Sequence, residues 1–334
     1  MDWENLENRM LLARLYFDRS LRKNKSNHDV IEYLLNLGWI VQTPRVMEVE
    51  ITETGLNDAP LLLNRLWPEW KRVSEMLKKA GLPLTVKNLK KIERQKLAQT
   101  FKMPKILNKK TLAALFAEHS KATPDNLPDF PDVTVTTDDL LRLRANKGLI
   151  LTFSTGKLYC DTLMDLLGEV IIPERAFLDG ITVEGIFPKV IMTVENLGAF
   201  VDLPKPQSML AINSPGWNSL LTCKLLATFP QNINYYHFGD LDPEGLDIAK
   251  HLEEKAPQKL RHFIPGFWQD YIKTHSQKLN KTWPSRFSQG VANPMIKKLI
   301  DSQCWLEQEC ILADSRLFKS LADLCNATIE TLVL

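Results

Sequence analysis

The sequence predicts a mixed α/β chain: a carboxy-terminal domain built on a parallel sheet flanked by helices, preceded by a helical, basic amino-terminal region. Three observations predict it. Mostly apolar runs at Lys189–Val194, Ser208–Ile212 and Ile233–Phe238 each stop at a polar or acidic corner. Helical apolar spacing follows the second run, from Trp217 to Phe229, and the third, after Pro243. Charge is uneven, with 22 Lys and Arg against 14 Asp and Glu in residues 1–121, and 20 against 26 in the remainder. Near-continuous apolar strands alternating with helices imply a parallel sheet joined by right-handed crossovers. A chain of 334 residues, 44% hydrophobic and 25% charged, can bury a full core and divide into two or three domains.

At the amino terminus, Leu6–Leu21 carries helical spacing and Asp29–Leu37 is a second helix candidate. Gly38–Val41 and Val46–Ile51 read as two short strands around a Pro44–Arg45 turn, and Thr52–Gly55 closes the unit. Two helices and a β-ribbon resemble a winged helix, in which a helix enters the major groove and the ribbon lies on the backbone. From Lys71 to Lys110 there are 13 basic and 2 acidic residues. Lys78, Lys79, Lys87, Lys90, Lys91, Arg94, Lys102 and Lys105 alternate with Leu84, Val86, Leu89, Ile92 and Leu97 at helical spacing. Helices with such a face can track a phosphate backbone, with binding that weakens as salt rises; a solvated helical surface is the plainer alternative.

Residues 1–121 are therefore read as a DNA-binding arm. Pro124, Pro128 and Pro131 with Asp125, Asp129 and Asp132 make 122–133 an acidic, proline-rich linker. In 134–185, Asp138–Arg144 reads as helical, and Gly148–Phe153 with Lys157–Tyr159 reads as paired strands. That stretch is taken as a small α+β module, either DNA-binding or packed on the sheet, and 186–334 as the catalytic domain. The five cysteines are widely spaced with no Cys-x-x-Cys, which points to reduced thiols and neither zinc nor disulfides. Acidic Asp2, Glu4 and Glu7 do not suit a secretory signal, and no apolar run approaches the ~18 residues of a membrane span, so a cytoplasmic location is expected.

The chemistry concentrates where the third run ends. Asp240 and Asp242 lie two positions apart, and if strand geometry persists through Gly239 both point to one side. Two carboxylates so close call for a shared proton, a basic partner or a divalent metal. Gly239 permits close approach, and Pro243 suits the first turn of a helix. An ordinary helix N-cap is the plain alternative. A calcium loop fails because His251 falls where the bidentate Glu is required. Glu195 ends the first run and Asn213–Gly216 the second, so all three corners share the carboxyl edge of the sheet, where ligands of open parallel sheets gather. His237 and His251 flank the acidic corner and are read as structural.

This Glu, Gly-containing turn and Asp-x-Asp layout resembles the Toprim domain. Val-Glu-Asn at 194–196, Phe-Gly-Asp-Leu-Asp-Pro-Glu-Gly at 238–245 and Leu-Glu-Gln-Glu at 306–309 are similar to the JetD/MksG nuclease subunits of Wadjet-type plasmid-defence complexes. A more distant similarity is to the A subunit of topoisomerase VI. The resemblance implies a metal-dependent DNA endonuclease. Glu195, Asp240 and Asp242 would hold Mg²⁺ or Mn²⁺, Glu195 doubling as a base. Glu244 would be a lesser catalytic residue, and Glu307 and Glu309 possible additions to the site. It also implies double-stranded DNA as substrate, a homodimer, an SMC-type ATPase partner complex and a prokaryotic, nucleoid-associated setting. No Arg-Asp-x-Tyr-like phrase is present, so hydrolysis by water is favoured over a tyrosyl intermediate. The alternatives are a non-catalytic DNA-docking subunit, a topoisomerase VI A-like cleaving protein, and primase-like nucleotidyl transfer at the same corner.

Overall fold

The computed structural model describes residues 1–45, 47–116, 132–287 and 293–327. The proline-rich linker therefore lies almost wholly outside the described residues. The chain divides into two compact units, residues 1–135 and 136–334.

The first unit runs α1 (Leu6–Asp18), β1 (Ser20–Arg22), α2 (His28–Asn36), β2 (Ile40–Gln42), β3 (Glu48–Ile51), α3 (Glu53–Leu66), α4 (Trp70–Lys79), α5 (Val86–Gln99), β4 (Ile106–Asn108) and α6 (Lys109–Phe116). The first helix is shorter than its apolar spacing predicts. Arg19 turns into the left-handed region at φ 69°, and Ser20–Arg22 leave the helix to pair antiparallel with β3. β2 pairs with β3 on its other side, so the expected two-stranded ribbon is one part of a three-stranded sheet. α3 is capped by the Thr52 side chain, which accepts from the Gly55 N–H at 3.1 Å. α5 buries Leu89 and Ile92 in the core shared with α1–α4, while Lys87, Lys90 and Lys91 stay exposed. Lys78, Lys79, Lys102 and Lys105 are exposed as well, and Arg94 is half-buried.

After β5 (Thr134–Thr136), the second unit holds β6 (Leu140–Arg144), β7 (Leu149–Phe153), β8 (Gly156–Tyr159), α7 (Cys160–Leu167), β9 (Val170–Pro173), β10 (Ile181–Gly185), β11 (Val190–Val194), α8 (Leu197–Asp202), β12 (Met209–Asn213) and α9 (Leu220–Leu226). It continues with β13 (Asn234–Phe238), α10 (Pro243–Lys255), β14 (Leu260–His262), α11 (Ile272–His275), β15 (Gln277–Lys278), α12 (Pro294–Ser302), β16 (Cys304–Trp305) and α13 (Ser315–Asn326). A six-stranded sheet in the order β14-β13-β11-β12-β6-β9 forms its centre. The four strands β14, β13, β11 and β12 are parallel, and β6 and β9 add antiparallel neighbours.

Both faces of that sheet are covered, as the unbroken apolar runs predict. Val190, Met192, Val194, Tyr236 and Phe238 pack on one side with α8, α12 and α13. Ile191, Leu210, Ile212 and Tyr235 pack on the other with α9 and α10.

Two expectations are corrected. Asp138–Arg144 is not helical: Leu141 and Leu143 are buried while Leu140 is exposed, a period of two that places them in β6. Within 134–185, β6 and β9 belong to the central sheet, and β7 pairs with β8, as its paired-strand pattern predicts, and with β10 besides. The helix expected from Trp217 to Phe229 is only α9, since Pro215 and Gly216, the latter at φ +52°, hold a turn before it. No helix among the described residues is long and apolar enough to cross a membrane.

Candidate functional site: the carboxylate edge of the parallel sheet

β11 lies at the centre of the parallel set with β12 on one side and β13 on the other. The chain leaves β11 toward β12, then crosses over to β13. The carboxyl end of β11 is thus a topological switch point, where connections diverge and where open α/β sheets generally take their ligands. Glu195 follows β11 there, Asn213 ends β12, and Gly239 and Asp240 follow β13. Main-chain bonds hold these ends together. Glu195 N–H donates to Phe238 O at 3.1 Å, and Ser214 N–H donates to Val194 O at 2.9 Å.

The Asp240–Asp242 pair is arranged differently from simple strand alternation. β13 stops at Phe238, and Leu241 forms an isolated bridge with Leu306, its N–H donating to Leu306 O at 2.9 Å. Asp242 becomes the N-cap of α10, with Oδ1 accepting from Gly245 N–H at 2.6 Å. Gly245 has to be glycine, since a β-carbon would fall 2.4 Å from Asp240 O. Asp240 Oδ1 accepts from Gln308 N–H at 2.8 Å, and its Oδ2 from Asn196 Nδ2 at 3.3 Å.

Asn196 Nδ2 also lies 3.3 Å from Glu309 Oε2, so one amide spans the carboxylates of Asp240 and Glu309. Glu309 is thereby brought to the corner across 69 positions of sequence. Glu307 points elsewhere, its Oε1 accepting from Gln277 Nε2 at 3.4 Å on the exposed side. Between them, fully buried Gln308 ties the loop to the end of β13 and to the start of α8. Its side-chain amide lies against Phe238 O and the Asn196 N–H, and the orientation that satisfies both turns the nitrogen to Phe238 O at 3.1 Å and the oxygen to Asn196 N–H at 2.9 Å. Sequence reading missed the roles of Asn196 and Gln308. Their neighbours Glu195 and Glu309 gave a local signal, but amide partners so far apart in the chain gave none.

The electrostatics of the corner are those of an anionic site that is partly shut away from water. Burial, then Asp240 and Asp242, push the Glu195 carboxyl up to about 7. Burial likewise raises Asp240 to about 6, with Glu309 and Asp242 adding to it and the Gln308 N–H and Asn196 opposing it. Asp242 is raised by burial and by Glu244. Glu195 Oε2 is buried with no hydrogen-bond partner, and so is Nε2 of His237. Both face Gly239, where a β-carbon would sit 2.7 Å from the first atom and 2.6 Å from the second. His237 lies under the sheet edge, its Nδ1 2.9 Å from Thr193 Oγ1, and burial keeps the ring neutral.

This donor set fits a hard divalent cation in charge and atom type: several carboxylates that raise one another's affinity for positive charge, one of them with an orphaned oxygen. Among the described residues, no three His, Cys, Asp or Glu side chains are already drawn together as a metal-holding group. The exposed lysines of α4 and α5 lie in the first unit and are described there alone.

The family model described as Wadjet protein JetD, C-terminal, matches residues 182–316, a stretch that includes β11 to β16 and every carboxylate discussed above. Over that stretch the chain is JetD-like. No curated protein matches the chain.

Proposed function

We propose that this JetD-like chain is a Mg²⁺- or Mn²⁺-dependent DNA endonuclease of the Toprim kind, working as the nuclease subunit of a Wadjet-type anti-plasmid complex. The observation that carries the reading is the convergence of Glu195, Asp240 and Asp242 on one sheet edge, with Glu195 Oε2 buried and unpartnered. Glu195, Asp240 and Asp242 would hold the cation. Once bound, it supplies a Lewis acid that polarises the phosphoryl group and lowers the pKa of water.

The side chains do the rest. Glu195, whose Oε2 is buried at the corner without a hydrogen-bond partner, would also take the proton of the attacking water as its base. Asn196 and the Gln308 N–H fix the Asp240 carboxylate, and Glu309 adds negative charge beside it. Water oxygen bonds to phosphorus as the P–O3′ bond breaks, leaving a 5′-phosphate and, after protonation, a 3′-hydroxyl. Lys78, Lys79, Lys87, Lys90, Lys91, Arg94, Lys102 and Lys105 would contact double-stranded DNA through its phosphates. The Wadjet resemblance extends the proposal to a homodimer acting with an SMC-type ATPase complex.

One observation favours the second reading, a DNA-docking subunit without catalysis: no three-ligand group is assembled among the described residues. Product chemistry separates the readings. An end-labelled duplex incubated with the chain and Mn²⁺ is expected to yield fragments with 5′-phosphate and 3′-hydroxyl ends whose mobility is unchanged by proteinase. Protein-linked ends would instead support topoisomerase VI A-like cleavage. Retarded but intact DNA would support docking, and incorporation of labelled nucleotide would support primase-like transfer.

A further inference from the structure

We propose that Trp217 is a base-stacking residue of this same site, so that the preferred DNA presents an unstacked base beside the phosphate that is cut; the inference rests on the nuclease reading above. Trp217 sits in the turn between β12 and α9, on the sheet edge that carries the acidic corner. The residue is 53% exposed, although so large an apolar side chain would ordinarily gain by burial.

The ring is nevertheless held. Nε1 donates to Glu244 Oε1 at 3.2 Å, and the ring meets His251 edge-on, with centroids 5.4 Å apart and planes at 72°. His251 is fixed in turn, its Nε2 lying 3.1 Å from the hydroxyl of buried Ser219. Glu244 is close enough to the corner to raise the carboxyls of Glu195 and Asp242. The indole is thus one side chain removed from the carboxylates, pre-oriented and open to solvent on its free surface.

A flat ring with this placement has little to offer a phosphate and much to offer a nucleobase, because every base has a π-face on which indole can stack. Its orientation is already set, so little further freedom is lost on binding. Inside continuous B-form duplex both faces of each base are occupied by its neighbours. The base taken by Trp217 therefore has to be already free of the stack, in a single-stranded, bubbled or mismatched stretch.

The test is fluorescence anisotropy of the full chain in Ca²⁺ rather than Mg²⁺, with a single strand, a duplex containing a short bubble and a perfect duplex. Trp217→Ala is expected to weaken binding of the first two by roughly 5- to 150-fold, the range that stacking energies per base imply, and to leave the perfect duplex unchanged. Trp217→Phe keeps a ring but removes the donor to Glu244, and is expected to restore most of the lost affinity. Unchanged binding of all three DNAs by Trp217→Ala, or an equal loss on all three, would overturn the stacking role and leave the nuclease reading standing. Wild-type chain that binds none of the DNAs would overturn both.

Discussion

Glu195 is the residue at which burial and like charge act in the same direction, and this gives it a measurable signature. Its carboxyl is raised from an ordinary 4.5 to about 7, so between those values the folded chain holds a proton that the unfolded chain has released. Stability from this group is therefore complete below about pH 4.5 and lost as pH rises through 7. Glu195→Gln cannot release that proton. Relative to wild type, the variant is expected to gain on the order of 1–2 kcal/mol in EDTA between pH 4.5 and 8, after discounting for solvent screening of a partly open group. Urea melts at the two pH values measure the difference, and a gap that does not widen with pH would mean that Glu195 is an ordinary carboxylate. Gly239 is set by the same crowding, since any β-carbon there would strike Glu195 Oε2 and His237 Nε2.

At the scale of elements, Asp242 serves α10 as well as the site. It accepts from Gly245 N–H at the start of a 13-residue helix whose first residue is Pro243. Losing an N-cap costs about 1 kcal/mol, whereas Asn caps as well as Asp. Asp242→Ala is therefore expected to lower the urea midpoint, and Asp242→Asn to leave it near wild type while removing a carboxylate from the corner. If both variants unfold alike, the cap assignment fails. The same element shows how much was legible beforehand. Strand, acidic corner and Pro-initiated helix are local signals: β13 lies close to the apolar run that predicts it, and α10 begins at Pro243 as expected. The i, i+2 argument for Asp240 and Asp242 stopped short because the ladder ends at Phe238 and the next contact, Leu241 with Leu306, is made by residues far along the chain. Asp138–Arg144 misled for a different reason. Leu-Leu-Arg-Leu-Arg after two aspartates fits a short helix nearly as well as a strand, and only pairing with β12 and β9 decides the matter.

For the whole molecule, two units carry different chemistry. Residues 1–135 contain the exposed lysines of α4 and α5, and residues 136–334 contain the parallel sheet with its carboxylates and the JetD-like stretch 182–316. The charge asymmetry that divides the chain was readable from composition. The gathering of Asn196, Gln308 and Glu309 around Asp240 was not, because it depends on a loop that returns to the sheet edge only after α12. The central claim is that this edge cuts DNA with a divalent cation, and conversion of supercoiled plasmid at low salt tests it most directly. Purified wild-type chain is expected to give nicked or linear product in Mg²⁺ or Mn²⁺ and none in EDTA, with cleavage lost in Glu195→Gln and in Asp240→Asn. Cleavage that persists in both variants, or that ignores the cation, would contradict the account.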